Sequence, residues 1–339
     1  MQLFVLPQEN IATLFAWDGT KLLPLARLPI PVFGNFNIEG NCISFINRKQ
    51  SRVVAFRWDG ERLVTHQSIT LPVGFKGYCS KVVGDCLFVG GRSQSGEIVG
   101  FYDLTQDKPQ WQSIYVPPTV RRAGKSIDDI ILTVDMKLIA VDNMIFPKYL
   151  LAYDATDPRN PVLEKVSRLP NNGAYEHIRK ADSNGLVHGL LSSSVGMSGC
   201  HQFINLLDAT NCHQVGSIGH KSDTDDSEEN PYWVDFSLVG ESAVIAGGKF
   251  GITAVRTDSF RRYHEQFIYR MPSQIPSGAS IERVHKIDDI RFVVVWSMES
   301  NSGFGVVSVN ELEHSPICHV EVVEHGEEPS SSFIIGGGI

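Results

Sequence analysis

The chain has 339 residues and a formal net charge of −8, with 30 Lys and Arg against 38 Asp and Glu. Hydrophobic residues make up 42% of it, which excludes a wholly disordered chain. The acidic balance argues against a general binder of nucleic acid or of anionic membranes, because both require a basic surface. The 30 glycines and 17 prolines indicate many turns and short elements.

The N-terminal residues, MQLFVLPQENIATLF, do not predict a signal peptide. No positive charge precedes the apolar stretch, and polar residues interrupt it after Pro7. No window approaches the roughly 20 apolar residues that a spanning helix needs. The six cysteines include no C-x-x-C pair, so we predict reduced, structural thiols. Together these features predict a cytoplasmic protein that does not enter a membrane.

A repeated turn is the main signal in the sequence. Residues 14–29 (LFAWDGTKLLPLARLP) and 54–72 (VAFRWDGERLVTHQSITLP) both place Asp-Gly between two apolar runs, which is typical of a hairpin. The same position recurs at Asp18, Asp59, Asp103, Asp154, Asp208, Asp258 and Asn310. The spacings are 41, 44, 51, 54, 50 and 52 residues. A period of about 40–55 residues made only of short strands indicates a propeller.

Each of the seven units also contains one very apolar run of strand length. These runs are residues 3–6, 42–47, 86–91, 137–142, 186–191, 243–248 and 291–296. A continuous apolar run fits a strand that is covered on both faces, as in the middle of a blade. We therefore predict an all-β, seven-bladed β-propeller with four-stranded antiparallel blades, almost no helix, and one domain over residues 1–339.

The two ends of the sequence predict how the ring closes. The first unit lacks its first strand, and the chain ends in SSSFIIGGGI, a spare strand without a blade of its own. We expect a C-terminal strand at about 331–337 to complete the blade begun by residues 1–29. The N- and C-terminal strands would then share one blade, which removes exposed strand edges.

One unit carries a family resemblance. Residues 153–163 read YDATDPRNPVL, with weaker echoes at 103–109 and 310–316. This segment resembles bacterial β-propeller repeats of the LVIVD kind and, more distantly, WD40-like repeats. The resemblance implies a propeller, and such propellers serve both as enzymes and as scaffolds. The paired Gly-His and Trp-Asp of WD40 blades are absent as a set, so their hydrogen-bond network is not expected here.

The longer connections are expected on one face of the propeller, and such a face is the default binding face. They are residues 117–125, 142–147, 192–200, 221–230 and 271–278. The acidic run 221–230 would dock on a partner, although a solvated loop and a calcium loop are alternatives. Its carboxylates are Asp223, Asp225, Asp226, Glu228 and Glu229.

Two further groups on this face are candidates for contact with a partner. Tyr232 and Trp233 follow the acidic run, and they would act either as a hot spot or as packing between blades. Arg121, Arg122 and Lys125 would bind a partner's carboxylates or an anionic ligand, unless they only line a solvated loop.

The main hypothesis is a non-enzymatic scaffold that binds another protein within a multi-subunit complex, with no cofactor and no direct contact with nucleic acid. No nucleophile, zinc or phosphate-loop motif argues for catalysis. The alternative is a metal-dependent hydrolase of the lactonase kind with its site in the channel, and a ligand sensor is a weaker third option. The polar channel candidates for a metal are Glu176, His177, Asp235, Glu282 and His285.

Overall fold

A computed structural model gives the structure of the chain. It describes residues 2–7, 11–29, 36–121, 125–142, 147–169, 174–180, 187–196, 199–208, 210–211, 213–222, 232–240, 242–256, 263–264, 269–272, 275–298, 301–309 and 319–321. The chain divides into two compact units. Unit 1 comprises Met1–Asn171, Ala209–His213 and Ser332–Ile339, and unit 2 comprises Asn172–Asp208 and Gln214–Ser331.

Unit 1 contains four antiparallel sheets, numbered here in chain order. Sheet 1 contains β1 (Gln2–Pro7), β2 (Ile11–Trp17) and β3 (Leu22–Pro29). Sheet 2 contains β4 (Phe36–Glu39), β5 (Cys42–Asn47), β6 (Arg52–Trp58) and β7 (Leu63–Thr70). Sheet 3 contains β8 (Phe75–Val83), β9 (Cys86–Ser93), β10 (Val99–Asp103) and β11 (Gln112–Ser113). Sheet 4 contains β12 (Ile127–Leu132), β13 (Lys137–Asp142), β14 (Tyr149–Asp154) and β15 (Val162–Arg168).

Unit 2 contains three sheets. Sheet 5 contains β16 (Ala174–Lys180), β17 (Val187–Gly196), β18 (Gly199–Asp208) and β19 (His213–Ser222), with β23 (Tyr263–His264) parallel to β19. Sheet 6 contains β20 (Asp235–Val239), β21 (Ser242–Ala246) and β22 (Ile252–Arg256). Sheet 7 contains β24 (Ser280–Lys286), β25 (Arg291–Met298), β26 (Asn301–Ser308) and β27 (His319–Glu321).

The sheets confirm the all-β prediction, and the described part of each predicted apolar run lies on a strand, except that β21 ends at Ala246, two residues before the end of the run 243–248. β5 is buried at every residue, and β13 is buried at all but its first, because these second strands are covered on both faces. Five sheets have four strands or more in the described part of the chain, and two have three. Seven blades and a single domain over 1–339 therefore stay predictions. The predicted closing strand at 331–337 lies outside the described residues.

The repeated turns have the chemistry that their sequences predict. The carboxylate of Asp59 accepts hydrogen bonds from the backbone N–H groups of Glu61 and Arg62, and Asp18 does the same in its own turn. Gly19 and Gly60 follow these aspartates with φ of +104° and +107°, a region that a residue with a Cβ rarely adopts. Local hydrogen bonding and backbone geometry thus place the hairpins where the sequence predicts them.

One prediction about a connection is wrong. Residues 192–200 were expected to form a long loop, but β17 and β18 pair through this region as far as Gly196 opposite Gly199. A run of serines without proline leaves every backbone group available for the ladder, so its polarity does not indicate a loop. A fourth strand in the sixth unit stays a prediction, because most of residues 257–268 lie outside the described part of the chain; an isolated bridge joins Ile252 to Arg270.

Three of the cysteines in the described residues lie in the core. Cys42, Cys79 and Cys86 are buried free thiols, in agreement with a structural role. Burial raises the pKa of Cys86 to about 11, which keeps its thiol protonated at neutral pH.

Within the described ranges, no helix is both long enough and apolar enough to cross a membrane.

Candidate partner-binding surface of unit 1

The sheets of unit 1 present two different ends. The turn end carries the hairpins at Asp18, Asp59, Asp103 and Asp154 and the turns at residues 39–41, 84–85 and 133–136. The loop end carries segments 47–52, 70–76, 92–98 and 114–121 with residues 125, 126, 142 and 147–149. The longer connections of the described part of unit 1 do not all share one end, because residues 104–111 and 155–161 of the turn end are longer than residues 48–51, 71–74 and 94–98 of the loop end.

Contacts between neighbouring sheets show that like ends lie beside each other. At the turn end, Arg159 Nε donates to the Asp103 carboxylate at 2.9 Å, which ties sheet 4 to sheet 3. At the loop end, a Cβ added to Gly77 on β8 would lie 3.1 Å from Cδ1 of Ile46 on β5, so the loop ends of sheets 3 and 2 are adjacent. Residues from different sheets can therefore form one surface at each end.

The loop end of sheet 3 carries exposed cations. Lys76 lies on β8 and Arg92 on β9, and Arg121 follows β11 in the connection to sheet 4. Among the residues that the structure describes, these three side chains form no ion pair. Glu97, in the loop between β9 and β10, accepts a hydrogen bond from the Ser113 hydroxyl at 2.7 Å.

Lys76 and Arg92 lie directly opposite each other in the antiparallel pairing of β8 and β9. Like charges in cross-strand positions are destabilising, because the two ammonium or guanidinium groups repel across a short distance. Folding alone does not favour such a pair. Charges placed at a cost to stability are typical of a surface that meets a partner of opposite charge.

Arg121 is held in place by its own segment. The backbone N–H groups of Val120 and Arg121 both donate to the carbonyl of Pro117, at 2.9 and 2.8 Å, and the Val120 side chain is fully buried. The stem of Arg121 crosses Gly96, where an added Cβ would lie 2.9 Å from Arg121 Cγ. The absence of a side chain at Gly96 thus makes room for the arginine.

Exposed apolar groups lie at the same end. Tyr115 is 65% exposed, and its backbone carbonyl accepts a hydrogen bond from the buried Tyr153 hydroxyl at 3.1 Å. Val73 is fully exposed in the turn that leads into β8. A large aromatic side chain on an anchored backbone loses little conformational entropy on binding, so Tyr115 is suited to contact a partner.

A buried ion pair lies behind this surface. Lys125 Nζ donates to Asp142 Oδ2 at 2.5 Å and also to the carbonyl of Pro147, and both side chains of the ion pair are completely buried. These contacts join the segment before β12 to both sides of the connection between β13 and β14. The prediction grouped Lys125 with Arg121 as partner-binding cations, but the structure separates them: Arg121 is exposed and Lys125 is internal.

Burial changes the proton affinities of this cluster. Desolvation raises the pKa of Asp142 to about 6, although Lys125 acts in the opposite direction. Burial also lowers the pKa of the nearby Lys148. Asp142 Oδ1 is buried without a hydrogen-bond partner. Shifted pKa values are typical of catalytic groups as well as of internal ion pairs, and the complete burial of Lys125 and Asp142 favours the second interpretation.

Of the other predicted partner-binding residues, the structure describes Tyr232 and Trp233. Tyr232 is 39% exposed, whereas Trp233 is fully buried and donates from Nε1 to the Tyr269 hydroxyl at 2.7 Å. Trp233 also packs with Phe236 in a core cluster, which agrees with the packing alternative. Some predicted residues lie outside the described part of the chain, namely Arg122, Asp223, Asp225, Asp226, Glu228 and Glu229.

The channel candidates lie on the first strands of sheets 5 to 7. Glu176 and His177 belong to β16, Asp235 begins β20, and Glu282 and His285 belong to β24. The Asp235 carboxylate is buried and accepts a hydrogen bond from the backbone N–H of Val284 at 3.3 Å. Glu282 accepts one from the Ser297 hydroxyl at 2.8 Å. In the described ranges, no three His, Cys, Asp or Glu side chains form a group that could hold a metal ion.

A recurring bulge is a feature that the sequence interpretation missed. In β8, β12, β16 and β24 the register shifts by one residue, and the extra residues are Tyr78, Asp128, Glu176 and Glu282. Two adjacent polar residues between apolar ones, as in Ile281-Glu282-Arg283-Val284, break the period of two and would have revealed it. In unit 1 the bulge presents Tyr78, and the guanidinium of Arg48 lies 5.1 Å from its ring centre.

The comparisons with known proteins identify the fold. No protein-family model and no curated protein matches the sequence. Kluyveromyces lactis Hsv2 has a TM-score of 0.58 at 10% identity, over 95% of this chain and 94% of that chain. The dihydro-heme d1 dehydrogenase NirN, in complex with DHE, has a TM-score of 0.55 at 12% identity, over 97% and 74% of the two chains. A chain of the mitotic checkpoint complex has a TM-score of 0.54 at 10% identity, over 86% and 82%.

These structural neighbours are propeller proteins, and similarity at this level of identity shows the fold alone. The chain therefore has a β-propeller fold. The neighbours include an enzyme and a member of a protein complex, so the fold leaves enzymatic and scaffold roles both open. The similarity to LVIVD-type and WD40-like repeats remains a resemblance.

Proposed function

We propose that the protein is a non-enzymatic interaction scaffold that binds another protein through the loop end of unit 1. The observation that carries this proposal is the combination of exposed Tyr115 and Val73 with exposed cations in one set of loops. An aromatic anchor with charged groups around it is the usual composition of a protein-binding site. The presence of a propeller chain in the mitotic checkpoint complex is consistent with such a role.

The alternative of a metal-dependent hydrolase receives less support from the described residues. Asp235 and Glu282, two of its candidate ligands, accept hydrogen bonds from groups of their own sheets or of the next sheet. Asp142 and Lys148, whose pKa values are shifted by burial, belong to a buried cluster that also contains Lys125. These arrangements stabilise loops and strands, and they favour an interaction role over catalysis.

Affinity purification from the native host tests the proposal with matched variants. The loop-end variant combines Tyr115→Ser with Val73→Ser, and the turn-end control combines Val64→Ser with Val134→Ser, all at exposed apolar positions. We expect a stoichiometric partner to copurify with the wild type and the control and to be lost from the loop-end variant. Equal recovery with both variants, or no stoichiometric partner at all, contradicts the proposal.

A further inference from the structure

We infer that the segment docking on the loop end of sheet 3 is an acidic segment of a partner protein, whose carboxylates pair with Lys76, Arg92 and Arg121. This inference rests on the proposed function and specifies the chemistry of its partner. It follows from the placement of the three cations, from the way nearby carboxylates are already engaged, and from the charge of the rest of the molecule.

Lys76 and Arg92 lie on sheet 3, and Arg121 crosses a loop of the same sheet, so a single short segment could reach all three cations. The strand order of sheet 3 is β11-β10-β9-β8, and adjacent strands are separated by about 4.8 Å. Lys76 and Arg92 occupy the two neighbouring strands at one side of this order. Arg121 crosses Gly96 in the loop between β9 and β10, and it therefore continues the same row.

An extended peptide matches this row. In an extended peptide, every second side chain lies on the same face, and these side chains are about 6.6–7 Å apart. Acidic residues at every second position would therefore face the long basic side chains of adjacent strands. The residues between them would face the other way. Exposed Tyr115, which follows β11 in the same sheet, offers an apolar contact at the outer side of the row.

No carboxylate of the described sheet 3 loops neutralises these cations. Glu97 accepts the Ser113 hydroxyl, whose oxygen also accepts a hydrogen bond from Trp111 Nε1 at 3.0 Å. Asp142, in the neighbouring sheet, is paired with Lys125 inside the protein. The cations are therefore ready to form charge-assisted hydrogen bonds without first breaking an internal ion pair.

The balance of charge favours an acidic protein segment over nucleic acid. Nucleic-acid sites neutralise many phosphates along a continuous basic surface. Here the chain carries a net charge of −8, and its exposed hairpins at the turn end are built on aspartates. Three cations next to an exposed tyrosine match a short peptide that combines carboxylates with apolar side chains.

Fluorescence anisotropy with the full-length protein tests the inference. The probe is a labelled twelve-residue peptide of alternating Glu and Tyr, and the control peptide replaces each Glu with Lys. The loop-end variant is Arg92→Glu with Arg121→Glu. The charge-matched control is Lys21→Glu with Lys108→Glu, two exposed cations of the turn end. A single-stranded DNA oligonucleotide and phosphatidylserine vesicles are measured in parallel.

We expect the acidic probe to bind wild type and the turn-end control alike, and to bind the loop-end variant at least tenfold more weakly. Its affinity should fall several-fold between 50 and 300 mM salt, and the basic peptide should bind only the loop-end variant. Equal binding of the probe to the two variants overturns the inference. Tighter binding of DNA or vesicles, with the same loss in the loop-end variant, also overturns it.

The two proposals can fail separately. If a copurified partner is lost through Tyr115→Ser with Val73→Ser but is retained by Arg92→Glu with Arg121→Glu, the loop end binds a partner that is not held by its acidic groups. In that case the inference is wrong and the scaffold stands. If neither variant changes recovery of the partner, both proposals are wrong.

Discussion

The two ends of unit 1 use charge in opposite ways. At the turn end, each of the carboxylates of Asp18, Asp59, Asp103 and Asp154 accepts hydrogen bonds from its own turn. At the loop end, Lys76, Arg92 and Arg121 are exposed, and two of them repel each other across a strand pair. The same sheets therefore end at one side in turns whose carboxylates are hydrogen-bonded, and at the other side in exposed cations.

The difference separates charges that are engaged within the fold from charges that are exposed. Hydrogen bonds from Thr105 and Arg159 lower the pKa of Asp103 to about 2, because the folded state stabilises its charged form. Lys76, Arg92 and Arg121 form no ion pair with the part of the chain that the structure describes. The ion pair of Lys125 with Asp142 at the loop end is internal, and it joins the segment before β12 to the end of β13.

The largest expected effect is on this internal pair. Asp142→Ala leaves the Lys125 ammonium buried without its counter-charge, and breaking such a pair costs about 3–5 kcal/mol. Urea denaturation measures the loss in the free energy of unfolding. Asp18→Ala, at an exposed hairpin of the turn end, is the control and should cost clearly less. Similar losses for the two variants would show that the ends do not differ in this way.

The two ends should also respond to pH in opposite directions. The folded-state pKa of Asp142 is raised from 3.8 to about 6, so its contribution to stability is present below about pH 4 and is lost as pH rises to about 6. Asp103 has a lowered pKa, so its contribution is present above about pH 4 and is lost as pH falls towards 2. Lys125, Lys148 and Asp128 are the charges that influence Asp142 in this range.

The free energy of unfolding measured against pH separates these contributions. A shift of two pKa units corresponds to about 3 kcal/mol, so Asp142→Asn should remove a slope of that order between pH 4 and pH 6. Asp103→Asn should instead flatten the acid limb below pH 4 and leave the upper range unchanged. An unchanged slope between pH 4 and pH 6 in Asp142→Asn would contradict the assignment.

A smaller effect on the free energy of unfolding is expected when Gly96 or Gly60 is replaced by alanine. Gly96 and Gly60 both have positive φ, so alanine is strained by about 1–2 kcal/mol at either position. At Gly60 the added Cβ meets nothing within 4 Å, whereas at Gly96 it approaches Arg121 Cγ at 2.9 Å. Gly96→Ala should therefore be the more destabilising of the two in thermal or urea unfolding, and it should also weaken binding at the loop end. Equal costs would show that Arg121 moves aside freely.

The smallest expected effect is a gain in stability. Lys76→Gln removes the repulsion with Arg92 across the strand pair, which is worth about 0.2–1 kcal/mol at low salt. Lys21→Gln at the turn end is the control and should give no gain. High-precision urea denaturation at 20 and 300 mM salt tests this, because screening should remove the gain. A loss of stability in Lys76→Gln would argue that the pair contributes to folding.

The sequence predicts the strands better than the surface. Asp-Gly turns and apolar runs are local signals, and residues 42–47 and 137–142 form strands where these signals place them. The bulge at Asp128 and the extended pairing of β17 with β18 depend on register between strands, which composition does not determine.

The candidate site was predictable only in part. Arg121 is exposed in a longer loop, as the sequence indicates. Lys125 is only four residues away, yet it is internal, because its partner Asp142 comes from another strand and no local pattern connects the two. Lys76 and Arg92 are separated in sequence and become neighbours only through the pairing of β8 with β9. Tyr115 gives no sequence signal that distinguishes it from a core aromatic.

The bulges in the first strands have a consequence for how such a repeat can change over evolutionary time. Side chains alternate between the two faces of a strand, so a deletion in a regular strand would turn every residue on one side of it to the opposite face. At Tyr78 or Asp128 an extra residue is already accommodated. A deletion or substitution there changes the side chain that the bulge presents and leaves the facing of the buried residues beyond it intact. The bulge therefore lets this part of the strand change in sequence and length while the core beside it is inherited unchanged.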